Sequence, residues 1–462
     1  MRAETRRNQP VPRSNVSGIV WPAFPNDRDA ATFALLAQLE MSQWWSPETL
    51  LRHQLVQATG LLRHAAQTVP FYRDRLTQYA NRTKALTLSE WQSIPLLSRS
   101  EIQDAGEDLA SERPPAGHDG VFDVLTSGST GAPVRVKWNK VVAGFHAAIT
   151  LRDHLWHGRN PSKKFGVLKR LADDFISDRL ADNEARWAAG YRSGPMVFFD
   201  LRGRVNDALD WLAREEPDYL MVYPTYLRSM ILRSNETGFK PSKLRQVAAV
   251  SEVVDAGLRK MCEESWGARV IDMYSAQETG FLALECPDTG LYHIQSECNL
   301  VEVLDERGRS CAPGETGRIV ATPLHNFSVP LIRYDLGDYA EVGEACGCGR
   351  GLPVLRKIHG RSRNMMKLAD GSRHWIALTG CGFEDIAAIR QVQLIQKSVR
   401  EISLRLVVSR PLTEPEVTAA REAVCRAVRQ DFDVTFDYVD EIPRSVGGKF
   451  EDVISEVADE LA

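Results

Sequence analysis

Leu125-Thr126-Ser127-Gly128-Ser129-Thr130-Gly131-Ala132-Pro133-Val134-Arg135-Val136-Lys137 is the stretch from which the rest of the chain is read. Before it, Phe122, Val124 and Leu125 form a short apolar run that predicts a buried strand. After it, Val134, Val136 and Trp138 alternate with Arg135 and Lys137, as in a half-buried strand. The turn between the two is built almost wholly of hydroxyls and glycines. Glycines let successive backbone N–H groups converge on one point and the Ser and Thr hydroxyls add donors, so the loop suits an oligophosphate. It is not a Walker A loop, because no Gly-Lys-Ser/Thr follows and a strand rather than a helix comes next. A polar surface turn would have the same composition.

Bulk properties narrow the field. The 462 residues exceed what one hydrophobic core usually serves, so two or more domains are expected. A formal charge of −4 leaves no basic footprint for nucleic acid. No apolar run is long enough to span a bilayer, and Met1 to Arg13 is polar and basic without an apolar centre, which predicts a cytoplasmic protein. All eight cysteines lie beyond residue 260, and in a cytosolic chain they point to metal or to plain burial rather than to disulfides.

Outward from the loop, residues 1–20 read as a flexible arm, and helical patterns cover Asp29 to Gln43 and Pro47 to Gln67. From Phe165 to Val270 strands and helices alternate, which predicts an α/β layered domain with a largely parallel sheet. Pro224-Thr225-Tyr226-Leu227 directly follows a strand, at the edge where such sheets bind ligands. Two further strands, Val247 to Val250 and Val270 to Tyr274, end in the polar turns Ser251-Glu252 and Ser275-Ala276-Gln277-Glu278. Residues 300–345 change to short strands with Gly and Pro turns, a small β-rich subdomain. A break at Lys357 to Asn364 precedes a separate small α+β domain.

Thr-Ser-Gly-Ser-Thr-Gly-x-Pro resembles the phosphate loop of the adenylate-forming superfamily: acyl- and aryl-CoA synthetases, peptide-synthetase adenylation domains and luciferases. Val134 stands where many members carry Lys, which leaves Arg135 or Lys137 for any charge contact. Thr68 to Arg73 and Trp91 to Arg99 look like the opening of the phenylacetate-CoA ligase branch and its relatives in capsule biosynthesis. Asp272-Met273-Tyr274-Ser275-Ala276-Gln277-Glu278 resembles the Tyr-Gly-x-Thr/Ser-Glu motif, with Ser275 in place of Gly. Pro330 to Asp338 resembles the segment that ends on the ribose-binding Asp, His359 to Asn364 the hinge, and Pro443-Arg444-Ser445-Val446-Gly447-Gly448-Lys449 the C-terminal motif carrying the adenylation Lys.

The resemblance implies a large N-terminal adenylation core (21–359), a hinge (360–364) and a mobile C-terminal lid domain (365–462). By it, residues Thr126, Ser127, Gly128, Ser129, Thr130 and Gly131 would hold ATP phosphates, while Tyr274 would stack on adenine. Asp272 would accept from the adenine amine, and Ser251 and Glu252 would border the ring. Asp338 would take the ribose hydroxyls and Arg361 would contact the nucleotide. Glu278 would bind Mg²⁺ and Lys449 would neutralise charge developing between carboxylate and α-phosphate. The implied reaction activates a small-molecule carboxylic acid as acyl-AMP and passes the acyl group to CoA; a carrier-protein phosphopantetheine and an amine or hydroxyl are alternative acceptors. A silent nucleotide-binding scaffold is the alternative of another class, and a homodimer is compatible with all of these readings. Aryl or arylacetic acids follow from the branch resembled, with His146, Phe198, Phe199, Tyr223, Tyr226 and Ser275 expected at an aromatic pocket.

One cluster stands apart from this chemistry. Cys346-Gly347-Cys348 is a tight thiol pair on a Gly turn, and Cys286 and His293 flank the turn Pro287-Asp288-Thr289-Gly290. Two pairs of N/S ligands suit a tetrahedral structural Zn²⁺, provided that the fold brings the pairs together; four reduced, buried side chains are the alternative.

Overall fold

The computed structural model describes residues 11–125, 134–171, 187–361, 364–376, 378, 381–383, 386, 388–428, 430–444 and 450–457. The loop 126–133, hinge residues 362–363 and Lys449 lie outside the described residues.

The expected hairpin forms: Phe122–Leu125 (β1) pairs antiparallel with Arg135–Trp138 (β2), with Val124 opposite Val136. Val134 and Val136 are buried as the alternation requires. Phe122 is not; its side chain is 48% exposed, so β1 is an outer strand of a two-stranded ribbon rather than a core strand.

A parallel sheet follows, from Phe165–Lys169 (β3), Met196–Asp200 (β4), Tyr219–Val222 (β5), Gln246–Ala249 (β6) and the first half of Arg269–Ala276 (β7). Alternation along each strand divides the apolar side chains between two layers. Leu168, Leu220, Val222, Val247 and Ala249 pack beneath helices Val205–Glu215, Pro224–Thr237 and Ala256–Trp266. Phe165, Val167, Tyr219 and Ala248 face helices Asp27–Ser42 and Lys140–Trp156.

The β-rich region is not a detached subdomain. The second half of β7 turns to antiparallel pairing with Gly280–Glu285 (β8). The ladder then continues through Tyr292–Ile294 (β9), Asn299–Leu304 (β10), Thr316–Pro323 (β11), Tyr334–Val342 (β12) and Val354–Arg361 (β13). Among the described residues these strands join the parallel ones in one sheet of eleven, in the order β10-β11-β12-β13-β9-β8-β7-β6-β5-β3-β4. The physical reason lies in β7, eight residues long, which gives its first half to one neighbour and its second half to another. Helix Pro47–Thr68, started by Ser46 as N-cap with Pro47 at its first position, lays Leu55, Ala58, Leu62 and Ala65 on the antiparallel half.

Beyond β13 the chain builds a second core. Met365–Lys367 (β14) and Arg373–Trp375 (β15) form a ribbon. Ile389–Gln396 (β16), Glu401–Val408 (β17), Asp433–Tyr438 (β18) and Val453–Ser455 (β19) make a four-stranded sheet in the order β18-β17-β16-β19. Helix Glu414–Val428 covers it, burying Ala420, Ala423 and Val424 against Leu394, Ile402 and Leu404. No helix among the described residues is long and apolar enough to cross a membrane.

Candidate active site

The site is assembled where β7, β12 and β13 meet the segment before helix Arg99–Ala105. Tyr274 on β7 donates its hydroxyl to Asp338 Oδ2 on β12 at 2.8 Å. Arg361, at the end of β13, places its Nε 3.4 Å from Asp338 Oδ1, and the ladder pairs Asp338 directly with Arg361. Glu278 lies in the tight β7–β8 turn, closed by Thr279 N–H donating to Ala276 O and by Gly280 at φ +74°. Its carboxylate is 3.6 Å from Arg99 Nη1. Burial pushes the Glu278 carboxyl up, while the positive charges of Arg361 and Arg99 pull it back. Tyr274 is likewise raised well above its ordinary value, by burial first and then by the charge of Asp338. Three of the sequence-predicted residues, Tyr274, Asp338 and Arg361, thus form one cluster joined by a hydrogen bond and an ion pair, and Glu278 joins it through the field of Arg361.

Arg99 ends the stretch Trp91 to Arg99, whose resemblance assigns it no role, and local structure explains how it arrives. Leu97 bridges to Tyr334, its N–H donating to Arg333 O and its carbonyl accepting from Asp335 N–H, both at 2.9 Å. Ser98 then caps the helix in a capping box with Glu101, which fixes Arg99 at the first helical position. The anchor for this segment is Arg333, held at φ +51° and paired with buried Glu302 at 2.9 Å; Trp91 Nε1 donates to the same carboxylate. A capping-box pattern at Ser98-x-x-Glu101 was the readable signal; the partner across the fold was not.

The other predicted nucleotide contacts fall on the adjacent sheet edge. Asp272 is buried, accepting from Tyr292 Oη at 2.7 Å and from Met273 N–H at 2.8 Å. Burial pushes its carboxyl up to about 6, against the hydrogen bond from Tyr292 and the charge of Arg259. A carboxylate offers about four lone-pair sites, so these two bonds leave acceptor capacity. Ser275 continues β7 in extended form, so Gly is not required there; the left-handed residue is instead Ser251, at φ +71° after β6. Such a conformation costs a non-Gly residue about 1–3 kcal/mol and turns the chain sharply into Glu252. Glu252 Oε2 accepts from Thr225 N–H at 2.9 Å and Thr225 Oγ at 2.8 Å, and Oε1 from Phe450 N–H at 2.7 Å.

The expected aromatic pocket is not one pocket. Phe198 and Phe199 are neighbours on β4 and therefore point to opposite layers. Tyr223, the N-cap of helix Pro224–Thr237, and Tyr226 in its first turn are packed in the core, and Ser275 is exposed. His146 alone of the set lines a cavity of about 40 Å³ beside Thr279, Gly280 and Phe281. Its ring stacks on Phe281 at 4.6 Å and tilts against Trp138 at 5.3 Å, with its outer edge open to solvent. Trp138 Nε1 also donates to Gln277 O at 3.1 Å, which ties the hairpin of the 126–133 loop to the Glu278 turn. Arg135 is 3.8 Å from Asp123 and Lys137 is paired with Glu107, so both cations flanking the loop are held by carboxylates.

At the far end of β8 the proposed metal ligands do come together. One ligand atom each from Cys286, His293, Cys346 and Cys348 lies within 4.8 Å of the others. Cys286 Sγ and Cys346 Sγ are 3.8 Å apart, and Cys348 Sγ is 3.3 Å from His293 Nε2. Two thiolates at ~2.3 Å from a tetrahedral Zn²⁺ would be ~3.8 Å apart, whereas a disulfide needs ~2.05 Å, so the set fits the ion and not a disulfide. All eight cysteines are free.

Comparison with known proteins bears on the family and the fold. A family model described as AMP-binding enzyme matches residues 47–327, and a CapK C-terminal domain model matches residues 378–456. The chain is 24% identical over 452 residues to the phenylacetate-coenzyme A ligase of Thermus thermophilus, covering 88% of this chain and 98% of that protein. With the phenylacetate-coenzyme A ligase of Pseudomonas putida it shares 25% identity over 349 residues, 72% of this chain and 74% of that one. Among solved structures, a 2-hydroxyisobutyryl-CoA ligase in its postadenylation state in complex with R3-HIB-AMP superposes with a TM-score of 0.70 at 17% identity, covering 98% of this chain and 97% of the other. With the first of these models spanning more than half of the 462 residues, the chain belongs to the AMP-binding enzyme family.

Proposed function

We propose that this chain is an AMP-forming acid–CoA ligase that activates a carboxylic acid as its acyl-adenylate, releases pyrophosphate and passes the acyl group to CoA. The observation that carries the reading is the convergence of Tyr274, Glu278, Asp338 and Arg361 from three separate stretches of the sequence onto one end of the sheet. In this reading Asp338 receives the ribose hydroxyls, with Tyr274 and Arg361 orienting its two oxygens. Arg361 and Arg99 supply fixed positive charge where phosphate oxygens would sit. Glu278 is the oxygen donor for Mg²⁺, which when bound would offset charge on the phosphates. Thr126 to Gly131 grip the triphosphate, and Lys449 is delivered by the lobe 365–462, turning about 360–364.

The wall formed by His146, Trp138 and Phe281 borders the acid subsite in this reading. Its aromatic walls favour an aryl or arylacetic acid over an aliphatic dicarboxylate. The test is carboxylate-dependent exchange of labelled pyrophosphate into ATP over a panel of aromatic, arylacetic and short aliphatic acids. Exchange is expected with aromatic members and thioester formation on adding CoA; a carrier protein or free amine that outcompetes CoA would redirect the second step. No exchange with any acid would leave only nucleotide binding.

At a second site, Cys286, His293, Cys346 and Cys348 would hold a structural Zn²⁺. The six residues of β8 at ~3.4 Å each put this knuckle roughly 20 Å from Glu278, too far for a part in the reaction.

A further inference from the structure

We infer that Glu252 is the seat on which the C-terminal lobe docks for the adenylation step, and thus a positioning residue rather than an adenine contact. The inference rests on the ligase reading for its kinetic consequence but on geometry for its substance. The two oxygens of this carboxylate do different work. Oε2 is bound to the core by the N–H and hydroxyl of Thr225, in the first turn of helix Pro224–Thr237, where a negative charge is favoured. Oε1 faces the lobe and receives Phe450 N–H at 2.7 Å and Arg444 Nη1 at 3.3 Å. Arg444 and Phe450 stand on either side of residues 445–449, so one carboxylate clamps both ends of the segment that contains Lys449.

The surroundings are built for that contact. The Arg444 guanidinium lies 5.7 Å from the ring centroids of both Tyr226 and Phe450, one from each lobe. The Glu252 side chain is 6% exposed, and the left-handed Ser251 immediately before it directs the chain out of β6 toward Thr225. A residue that merely bordered a nucleotide would need neither the Thr225 tether nor the two donors from the other lobe. Elsewhere across the boundary, Arg390 meets Glu236 at 3.0 Å, a half-exposed pair that fixes no part of the Lys449 segment.

Glu252→Gln keeps the shape and the Thr225 acceptor but removes the charge that gathers Arg444, and Arg444→Ala removes the partner from the other side. Both variants are expected to slow pyrophosphate–ATP exchange about 10- to 100-fold, the scale of a misplaced catalytic group, and to leave thioester formation from supplied acyl-AMP and CoA within about twofold of wild type. Hydrogen–deuterium exchange over 450–457 should speed up in Glu252→Gln and in Arg444→Ala, whether or not an acid substrate is known. Equal loss of both half-reactions with a raised KM for ATP would make Glu252 a nucleotide contact and overturn the inference, as would unchanged amide exchange. If the wild type shows no pyrophosphate exchange with any acid, the ligase reading fails while the docking role is still decided by amide exchange.

Discussion

Asp272 shows how a single side chain carries both structure and a measurable liability. Its carboxyl is pushed up to about 6 by burial, above its value of 3.8 in water, so the folded chain holds a proton that the unfolded chain has lost. Stability from this group therefore falls as pH rises from about 4 through 6 and stays low above it. Asp272→Asn removes that dependence. Between pH 5 and 8 the wild type should lose roughly 1–2 kcal/mol relative to Asp272→Asn, read as a difference in unfolding free energy at each pH. A pH-independent difference would show that Asp272 is ionised throughout. The residue's identity and its strand were legible in the sequence, but the partner was not. Tyr292 lies on β9, twenty residues on, and reaches Asp272 across the intervening β8.

Elements tell a similar story at longer range. The turns at 286–293 and 346–348 each read as a ligand pair, yet their meeting depends on β9 pairing with β13, with His293 opposite Val354. That pairing closes the sheet back on itself and sets Cys286 and Cys346 at thiolate spacing. Purified chain should contain about one Zn²⁺, by elemental analysis, and chelation or Cys346→Ser/Cys348→Ser should lower the Tm by several degrees. Pyrophosphate exchange measured well below that Tm should persist in the chelated protein, because the knuckle is at the other end of β8. A Zn-free preparation with unchanged Tm would leave four reduced thiol and imidazole side chains packed without a metal. Strands β3 to β7 were readable from their apolar runs, and helix 205–215 from its periodicity. The change of pairing partner halfway along β7 was not, because a ladder's partners are set by the whole sheet and not by the strand's own residues.

At the scale of the molecule, the buried cluster from Met366 to Val453 is separate from those formed by the chain up to β13 among the described residues. Separate cores joined by a short segment can rotate as units. Under the ligase reading Lys449 serves only the first half-reaction, so Lys449→Ala should abolish pyrophosphate exchange yet retain transfer from supplied acyl-AMP to CoA. Equal loss of both would remove the reason for a moving lobe. The contact of Arg444 and Phe450 with Glu252 gives one position of the lobe a physical anchor.

The sequence by itself determined the hairpin around 126–133, the alternation of parallel strands and helices, the second core, and the identity of Tyr274, Glu278, Asp338 and Arg361. All of these follow from local periodicity or from short motifs whose chemistry travels with the residues. Only the tertiary structure decided that Arg99 faces Glu278, that the expected aromatic pocket reduces to the wall around His146, and that Glu252 holds the neighbouring lobe. Each of these contacts joins residues more than a hundred positions apart, or separates residues adjacent on a strand, and side-chain direction at that range is set by packing rather than by neighbours in the chain.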